Sequence, residues 1–483
     1  MTRFLDNPVA PLATILAALV LVLGVAQITR PDEHAHAAGP EMTRAPVESA
    51  LKVCPEPSLA RVSLATPPGD SGGDTEGDSA GDSAEIETLG RDRVDRVQKR
   101  GQVWVHDFGD KAEPLVVRAS GDLAAGLEVE QTSVTSGGVS GVRCVSPTTG
   151  SWFLGDAVDF GRTTKLSLTD VDDTAASVNV DVYGQQGLIT AMGSRGITVQ
   201  PHRQKVIGLD TFAGDTRVAA IHVSTTMGRV AAAIHTRSSG GDWSGTDWLP
   251  PTQPPAREQV IPGLPKGHGD RRLLIVAPGD VDATAKIRLV TGEGTYAPRS
   301  QRGVDVPADS VESVSLGDEL NGRAAAVRIS SSVPVTAAVT LSDGKDLAYV
   351  PAAPPLDQSA VVSGNRSGNG ATSTLLLSAP RDKARVRVTT IGRDGTNGKS
   401  TIVKVPGSRT DSTTLTRPPH TSGTFGAIVT PLDGSVVYGA RMISVGDRAS
   451  RRMTVLPLRP SPTSVSQPNA ESSLAAAVPS TQH

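Results

Sequence analysis

The chain has 483 residues and a formal net charge of −3, so it lacks the basic excess of a nucleic-acid-binding protein, and we expect neither DNA nor RNA as a partner. Hydrophobic residues make up 37% of the chain but aromatic residues only 3%, so any core must consist mainly of Val, Ala, Leu and Ile. These side chains suit β-sheets, and 50 Gly and 35 Pro supply turns, so the composition predicts an all-β protein. The length predicts three to four domains.

The amino-terminal segment predicts where the protein is located. Residues Val9–Ile28 carry no charge and, at about 1.5 Å per residue, could span a hydrocarbon core of about 30 Å. We therefore predict a single-pass membrane anchor within residues 1–30, a stalk at residues 31–48, and an extracytoplasmic chain beyond it. The alternative is a secreted protein that is cleaved near Ala37, where Ala-His-Ala fits a signal-peptidase site.

The next segment, residues 49–150, contains both cysteines of the chain. In an oxidising compartment Cys54 and Cys144 predict one structural disulfide, while the alternative is a pair of buried thiols. The bridge would close a loop of roughly ninety residues, and on the chain-entropy model such a closure contributes about 4 to 5 kcal/mol. The alternating runs in this segment predict an N-terminal β domain.

An acidic tract, residues 67–85, interrupts this domain. It is rich in Gly, Ser and Asp and has almost no apolar residue, so we predict a disordered insertion. Its Gly-Asp-Ser strings around Ser71 and Ser79 resemble nucleophile motifs, but such motifs need a rigid turn, a base and an oxyanion hole. We therefore predict no catalytic role for them. Opposed charges at i, i+4 spacing in Ile86–Arg100 predict a short helix after the tract.

Three segments of about a hundred residues follow, and each ends with a strand that reaches a proline. These prolines, Pro250, Pro351 and Pro457, lie 101 and 106 residues apart, and a second landmark recurs in step at Pro201, Pro307 and Pro406. Two landmarks with one period predict tandem copies of one fold. We place three β-sandwich repeats at residues 151–255, 256–355 and 356–459, and a disordered tail at residues 460–483.

The strand pattern within each repeat predicts the fold class. About seven alternating strands in a hundred residues are typical of an immunoglobulin-like sandwich. The prediction is therefore an all-β protein of tandem immunoglobulin-like β-sandwich modules after an N-terminal transmembrane helix, with the modules joined end to end as a rod. The alternative is a β-propeller whose blades are half-repeats, but the landmarks do not divide into halves of 40 to 50 residues.

Polar clusters in these repeats do not complete a metal site. Asp170, Asp172 and Asp173 could offer oxygens to calcium, but Ala175 occupies the position where the EF-hand loop requires glycine. We predict that this cluster forms a turn, with weak calcium binding as the alternative. His222 and His235 lie in strands with no acidic or cysteine partner nearby in sequence, so we interpret them as solvent-facing and expect no metal or cofactor.

Two tryptophans are the candidates for contact with a ligand. Trp243 and Trp248 are flanked by Gly and Asp, and an exposed indole with neighbouring carboxylates could stack on a sugar ring and bond its hydroxyls. The alternative for Trp248 is packing at the junction between two domains.

Several short motifs carry a resemblance to a known family. Cys54-Pro55, then Cys144-Val145-Ser146-Pro147 with Ser151-Trp152-Phe153-Leu154-Gly155, and the strand Thr174–Val180 resemble the actinobacterial extracytoplasmic family known as domain of unknown function 5719. The resemblance covers most of residues 45–460. It implies a membrane-anchored or secreted envelope protein without established activity, in a family whose members occur beside envelope glycosyltransferases, which points to surface polysaccharide.

The functional prediction follows from these features. We expect a noncatalytic, membrane-anchored scaffold or adhesion-type protein of the cell envelope, not an enzyme, with cell-wall polysaccharide or an envelope protein as the partner. The alternative is an enzyme accessory or a glycan-processing enzyme whose site is assembled between domains.

Overall fold

The structure is a computed structural model, and it describes residues 17–22, 42–69, 82–156, 162–213, 216, 218–239, 244–299, 303–342, 346–446 and 451–468. Of the predicted anchor Val9–Ile28, only residues 17–22 are described, and they are helical. No helix within the described ranges is both long and apolar enough to cross a bilayer. The membrane anchor therefore stays a prediction.

The described chain consists of two compact units, and the smaller one contains a two-stranded ladder. Strand β1 (Met42–Pro46) pairs antiparallel with β36 (Ser464–Pro468). The predicted stalk thus contains a strand, and the prediction of a disordered tail is wrong for Ser464–Pro468, because backbone pairing orders this stretch. Residues 469–483 lie outside the described part.

The larger unit, Val47–Thr463, contains four groups of strands that we call modules 1 to 4. Module 1 comprises β2 (Ser49–Cys54), β3 (Arg61–Ala65), β4 (Ala84–Thr88), β5 (Arg93–Val97), β6 (Val103–Asp107), β7 (Leu115–Ser120), β8 (Glu128–Thr135) and β9 (Gly138–Arg143), with a 3-10 helix at Gly121–Leu123. Module 2 comprises β10 (Gly150–Asp156), β11 (Arg162–Asp170), β12 (Ala176–Gly184), β13 (Gly187–Ile189), β14 (Ile197–Val199), β15 (Arg203–Gly208), β16 (Val218–Met227), β17 (Ala231–Ser238) and β18 (Gly245–Leu249), with a helix at Asp210–Ala213.

The other two modules follow the same plan. Module 3 comprises β19 (Ala256–Leu264), β20 (Asp270–Ala277), β21 (Ala283–Thr291), β22 (Gly294–Tyr296), β23 (Gly303–Val306), β24 (Ser310–Ser315), β25 (Ala325–Ser342) and β26 (Leu347–Pro351), with a helix at Gly317–Leu320. Module 4 comprises β27 (Ala360–Asn365), β28 (Ser367–Gly368), β29 (Ala371–Ala379), β30 (Ala384–Ile391), β31 (Thr401–Val405), β32 (Arg409–Leu415), β33 (Phe425–Leu432), β34 (Tyr438–Val445) and β35 (Arg452–Pro457).

Each module is a pair of antiparallel sheets. The leading sheet contains the module's first strand, with the orders β2-β7-β4-β5, β10-β16-β12-β13, β19-β25-β21-β22 and β27-β33-β30-β31. The closing sheet contains its last strand, with the orders β6-β3-β8-β9, β15-β11-β17-β18, β24-β20-β25-β26 and β32-β29-β34-β35. Strand β25 is long enough to pair in both sheets of module 3.

The all-β class is confirmed, but the immunoglobulin-like strand order is not. In an immunoglobulin sandwich the first two strands of the domain are neighbours in one sheet. Here β2 and β3 lie in opposite sheets, and so do β10 and β11.

The core of each module lies between its two sheets, as the alternating sequence predicts. In β12, Val178, Val180 and Val182 are buried, whereas Asn179 and Asp181 between them are only half-buried. One face of the strand therefore contributes to the core of module 2, and the same alternation recurs in β21 and β30.

The modules also pack on one another, in a closed circuit. The leading sheet of each module packs on the closing sheet of the next, for example through Trp152 and Leu154 of module 2 against Leu274 and Val276 of module 3. Equivalent apolar clusters join modules 1 and 2 and modules 3 and 4.

Modules 4 and 1 close the circuit. Val361 and Ile391 pack on Ala65 and Val103, residues that lie almost at the opposite end of the unit in sequence. The predicted end-to-end rod is therefore wrong: the modules bury their sheet faces against each other instead of exposing them.

The last strands of the four modules meet at a common junction. Asp247 Oδ1 in β18 accepts hydrogen bonds from Gly141 N of β9 at 2.9 Å and from the Thr454 hydroxyl of β35 at 3.0 Å. Asp346, just before β26, accepts one from Met453 N of β35 at 2.6 Å. Glycine is required beside this acid, because a Cβ at Gly245 would lie 2.6 Å from Asp346 Oδ1.

Two local predictions from the first module need correction. Ile86–Arg100 does not form a helix; it contains most of β4 and all of β5, because Ile86 is a core residue of the leading sheet and its neighbours pair across the sheet. The acidic tract at 70–81 lies outside the described residues, and β4 already begins at Ala84, before the predicted end of the insertion.

Asp247→Asn tests the junction through its pH dependence. Burial raises the pKa of Asp247 well above its ordinary value, so the folded state binds this proton more tightly than the unfolded state. The free energy of unfolding should then fall as pH rises from about 4 to the raised pKa, because the folded state must give up that proton. Asn keeps the acceptor but cannot ionise, so the variant should lose this part of the slope.

Urea unfolding at a series of pH values measures the effect. The exposed Asp110→Asn is the matched control and should retain the wild-type slope. Identical slopes for wild type and Asp247→Asn would contradict a buried acid at the junction.

Candidate functional site

A cleft of about 420 Å³, lined mostly by residues with polar or charged side chains, lies between modules 1 and 2. One wall is the outward face of the closing sheet of module 2, and the other is formed by the β2–β3 loop and the β8–β9 hairpin of module 1. The walls approach closely at one end, where a Cβ at Gly137 would lie 3.6 Å from Arg237 Nη2. The cleft exists only because the two modules pack side by side.

The sheet wall presents two rows of side chains, which the strand register aligns. Lys165 of β11 pairs with His235 of β17, and His235 pairs in turn with Trp248 of β18. In the adjacent row Arg237 stands between Thr163 and Thr246. Because alternate residues of a strand share a face, both rows point into the cleft.

The opposite wall is rich in hydroxyl and amide groups. Gln131, Ser133 and Thr135 are alternate residues of β8, and Ser140 of β9 is paired with Ser133. Gln131 Nε2 donates to the Glu56 carbonyl at 2.7 Å, which fixes the amide. Its Oε1 is buried and has no hydrogen-bond partner among the described residues.

The charges in the cleft are unbalanced. Neither Lys165 nor Arg237 takes part in an ion pair with any described residue, and Glu56 is the one carboxylate among the described residues that line the cleft. Burial, together with the charges of Arg237 and Lys165, lowers the pKa of His235 to about 4. The imidazole is therefore neutral at physiological pH, and its Nε2 lies 3.0 Å from the Thr246 hydroxyl.

The predicted tryptophans differ in their outcome. Trp248 lines the cleft, but its side chain is only 6% exposed and packs on the His235 ring at a centroid distance of 4.6 Å and on Val142 and Ala233. Only the edge of its indole ring therefore reaches the cleft, at the junction of two modules, and its face is not available for stacking. Trp243 lies outside the described residues.

The polar residues that line the cleft are not recognisable as a site from the sequence. His235 was expected to face solvent, whereas it is half-buried, packs on Trp248 and lines the cleft between modules 1 and 2. The available signal was the alternation in β11, which places Thr163, Lys165 and Ser167 on one face. Nothing in the sequence indicates that module 1 covers that face.

The predicted disulfide is confirmed. Cys54 and Cys144 form a disulfide that joins the end of β2 to the residue after β9. The bridge holds the β2–β3 loop near the β8–β9 hairpin, and both contribute residues to the cleft.

The remaining candidates are the aspartate cluster at Asp170 and the two serine strings. Asp170 accepts hydrogen bonds from the backbone N of Asp172 and of Ala176, which makes it a turn-forming residue. Within the described part of the chain, no group of three or more potential ligands could hold a metal ion. Ser71 and Ser79 lie outside the described residues.

Comparisons with known proteins give one family and no annotated relative. The profile of a family described as "Family of unknown function (DUF5719)" matches residues 103–416. No curated protein matches the chain. Among solved structures, a Streptomyces avermitilis alpha-L-rhamnosidase complexed with L-rhamnose aligns at a TM-score of 0.13 and 10% identity, over 84% of this chain and 55% of that one. The chain thus spans about half the length of that enzyme, and so weak a likeness carries no argument.

The protonation of His235 is open to direct measurement. Between about pH 6.5 and 4 the unfolded chain binds a proton at this residue and the folded chain does not, so the free energy of unfolding should fall as pH falls through this window. NMR of the imidazole should give a midpoint near 4, and His235→Gln should remove both the signal and its share of the stability loss. A midpoint above 6 would show that the cleft is open to bulk water.

Proposed function

This chain belongs to a family of unknown function (DUF5719), and from that premise we propose that it is a noncatalytic protein of the cell envelope that binds a polyhydroxylated ligand, a surface glycan, in the cleft between modules 1 and 2. The observation that carries the proposal is the paired-row face of the module 2 sheet. It sets Lys165 and Arg237 beside the edge of Trp248 and opposite a wall of hydroxyl and amide groups.

The chemistry of the cleft suits a sugar. Sugar hydroxyls donate and accept hydrogen bonds, and the cleft offers partners for both: the cationic donors of Lys165 and Arg237, and hydroxyl groups such as those of Ser133 and Thr163. Trp248 adds a limited apolar edge of the kind that contacts the C–H face of a ring. The surplus of cationic over anionic groups favours a glycan that bears acidic substituents.

Binding fits the cleft better than hydrolysis. Most glycoside hydrolases act with two carboxyl groups placed on either side of the scissile bond. Among the described residues that line the cleft Glu56 is the one carboxylate, and His235 is neutral and bonded to Thr246. We therefore favour a binding protein over the alternative of a glycan-processing enzyme with a site between domains.

Location is the second part of the proposal. We infer a single-pass membrane protein that is held by Val9–Ile28, with the modules on the extracytoplasmic side, where a disulfide such as Cys54–Cys144 is stable. An anchored binding unit of this kind would hold envelope polysaccharide, or a protein that carries it, near the membrane.

Binding of purified envelope polysaccharide to the detergent-solubilised full chain tests the proposed function. Lys165→Ala and Arg237→Ala should each weaken binding about tenfold, because a hydrogen bond from a charged group contributes about 1.5 to 3 kcal/mol. The matched control is Lys205→Ala in β15, which is exposed and alternates with the cleft residue Val206. Isothermal titration calorimetry of the variants gives the affinities.

Two results would contradict glycan binding in the cleft. One is equal affinity of Lys165→Ala, Arg237→Ala and Lys205→Ala for the polysaccharide. The other is the absence of measurable binding to acidic and neutral envelope polysaccharide fractions by the folded wild-type protein.

A further inference from the structure

A second cavity, of about 320 Å³, lies where three closing strands end. Pro250 and Pro251 directly follow β18, and Pro457 ends β35, so two of the prolines that mark the repeats in the sequence meet at this cavity. Trp152 and Leu456 add further apolar surface. The cavity shares no residue with the cleft between modules 1 and 2.

Three basic side chains line this apolar cavity. They are Lys52 of β2, Arg143 at the end of β9, and Arg459 after β35. Arg143 is neutralised by the buried Glu128, whose Oε1 accepts from Arg143 Nε at 2.6 Å. This ion pair accounts for one of the three positive charges.

The other two positive charges have no carboxylate partner. Arg459 Nη2 donates to the Pro251 carbonyl at 2.5 Å, and Lys52 Nζ has no hydrogen bond within the described residues. Neither side chain forms an ion pair with a described residue. Two half-buried cations therefore face one apolar cavity with a single shared acid, Glu128, that is already bonded to Arg143.

This arrangement is unfavourable unless an anion completes it. Burial and the charge of Arg143 together lower the pKa of Arg459 to about 10, against the attraction of Glu128. Burial also lowers the pKa of Lys52, against the attraction of Glu128. Cations that are removed from water without a counter-charge destabilise a fold, and apolar residues of the same size would fill this space at lower free energy.

We propose that this cavity binds an amphiphilic anion, a phosphate monoester that carries an apolar group. The phosphate oxygens would lie between Lys52 and Arg459, because the planar guanidinium matches phosphate geometry and the ammonium supplies a second positive charge. The apolar group would lie on Pro251, Pro457 and Trp152. A volume of about 320 Å³ exceeds what a bare phosphate ion fills and is within the range of small-molecule sites.

Three probes separate the two parts of the ligand: n-hexyl phosphate, inorganic phosphate and n-hexanol, each titrated into the full chain at constant ionic strength. We expect n-hexyl phosphate to bind at least about tenfold more tightly than either other probe, because only it engages both the cations and the apolar wall. Calorimetry gives the affinities, and the shift of the unfolding temperature with each probe gives an independent readout.

Variants then assign the site. Lys52→Met and Arg459→Met should each weaken n-hexyl phosphate binding about tenfold or more. Both should unfold at the wild-type temperature or above it, since each removes a buried cation without a counter-charge. The exposed Lys286→Met is the matched control and should bind as wild type does. Lys165→Ala should also bind as wild type, which separates this site from the proposed glycan cleft.

Three outcomes would overturn the proposal. Equal affinity for inorganic phosphate and n-hexyl phosphate would remove the apolar part of the ligand. Unchanged binding by Lys52→Met and Arg459→Met would place any site elsewhere. A folded wild-type protein that binds none of the probes would leave the two cations as structural features.

Discussion

The whole fold depends on a buried acid at the point where the four closing strands meet. Asp247 accepts hydrogen bonds from strands of modules 1 and 4, and Asp346 accepts one from module 4, so carboxylates of modules 2 and 3 connect four modules. An acid in this position is stable only if its hydrogen bonds are made, because an unsatisfied buried carboxylate costs several kcal/mol. The junction therefore specifies one arrangement of the modules and penalises others.

Packing of the modules on one another creates the two cavities that we propose as binding sites. The cleft needs the closing sheet of module 2 to face the β8–β9 hairpin of module 1, and the basic cavity needs the ends of β9, β18 and β35 at one place. Modules joined end to end would bring together neither set of residues. Both proposed sites therefore lie between modules and depend on how the modules pack.

Most strands and strand ends could be predicted from the sequence, but the way in which the modules pack on one another could not. Alternation identified strands such as β12 and β21, and the prolines at 250, 351 and 457 marked the ends of the closing strands, because strand pairing and turns depend on neighbouring residues. The disulfide followed from the presence of only two cysteines. A helix was predicted for Ile86–Arg100 because its charges have helical spacing, yet pairing with β7 fixes its first part as strand β4.

Contacts between distant modules could not be predicted in this way. The buried ion pair of Arg441 with Glu130, at 2.9 Å, joins residues 311 positions apart, and no local pattern marks either residue. The propeller alternative was nearer to the observed circuit of stacked sheets than the rod. It could not be detected by halving the repeats, because each sheet takes strands from throughout its module.

Closure between modules 1 and 4 is tested most directly by a cross-link. Ser63 Oγ and Ser363 Oγ are both buried and lie 3.1 Å apart, although 300 residues separate them in the chain. A Ser63→Cys/Ser363→Cys variant, oxidised and mapped by mass spectrometry without reduction, should yield a peptide pair linked between these positions in addition to Cys54–Cys144. A folded variant in which both new thiols stay free and reactive would contradict the closed circuit.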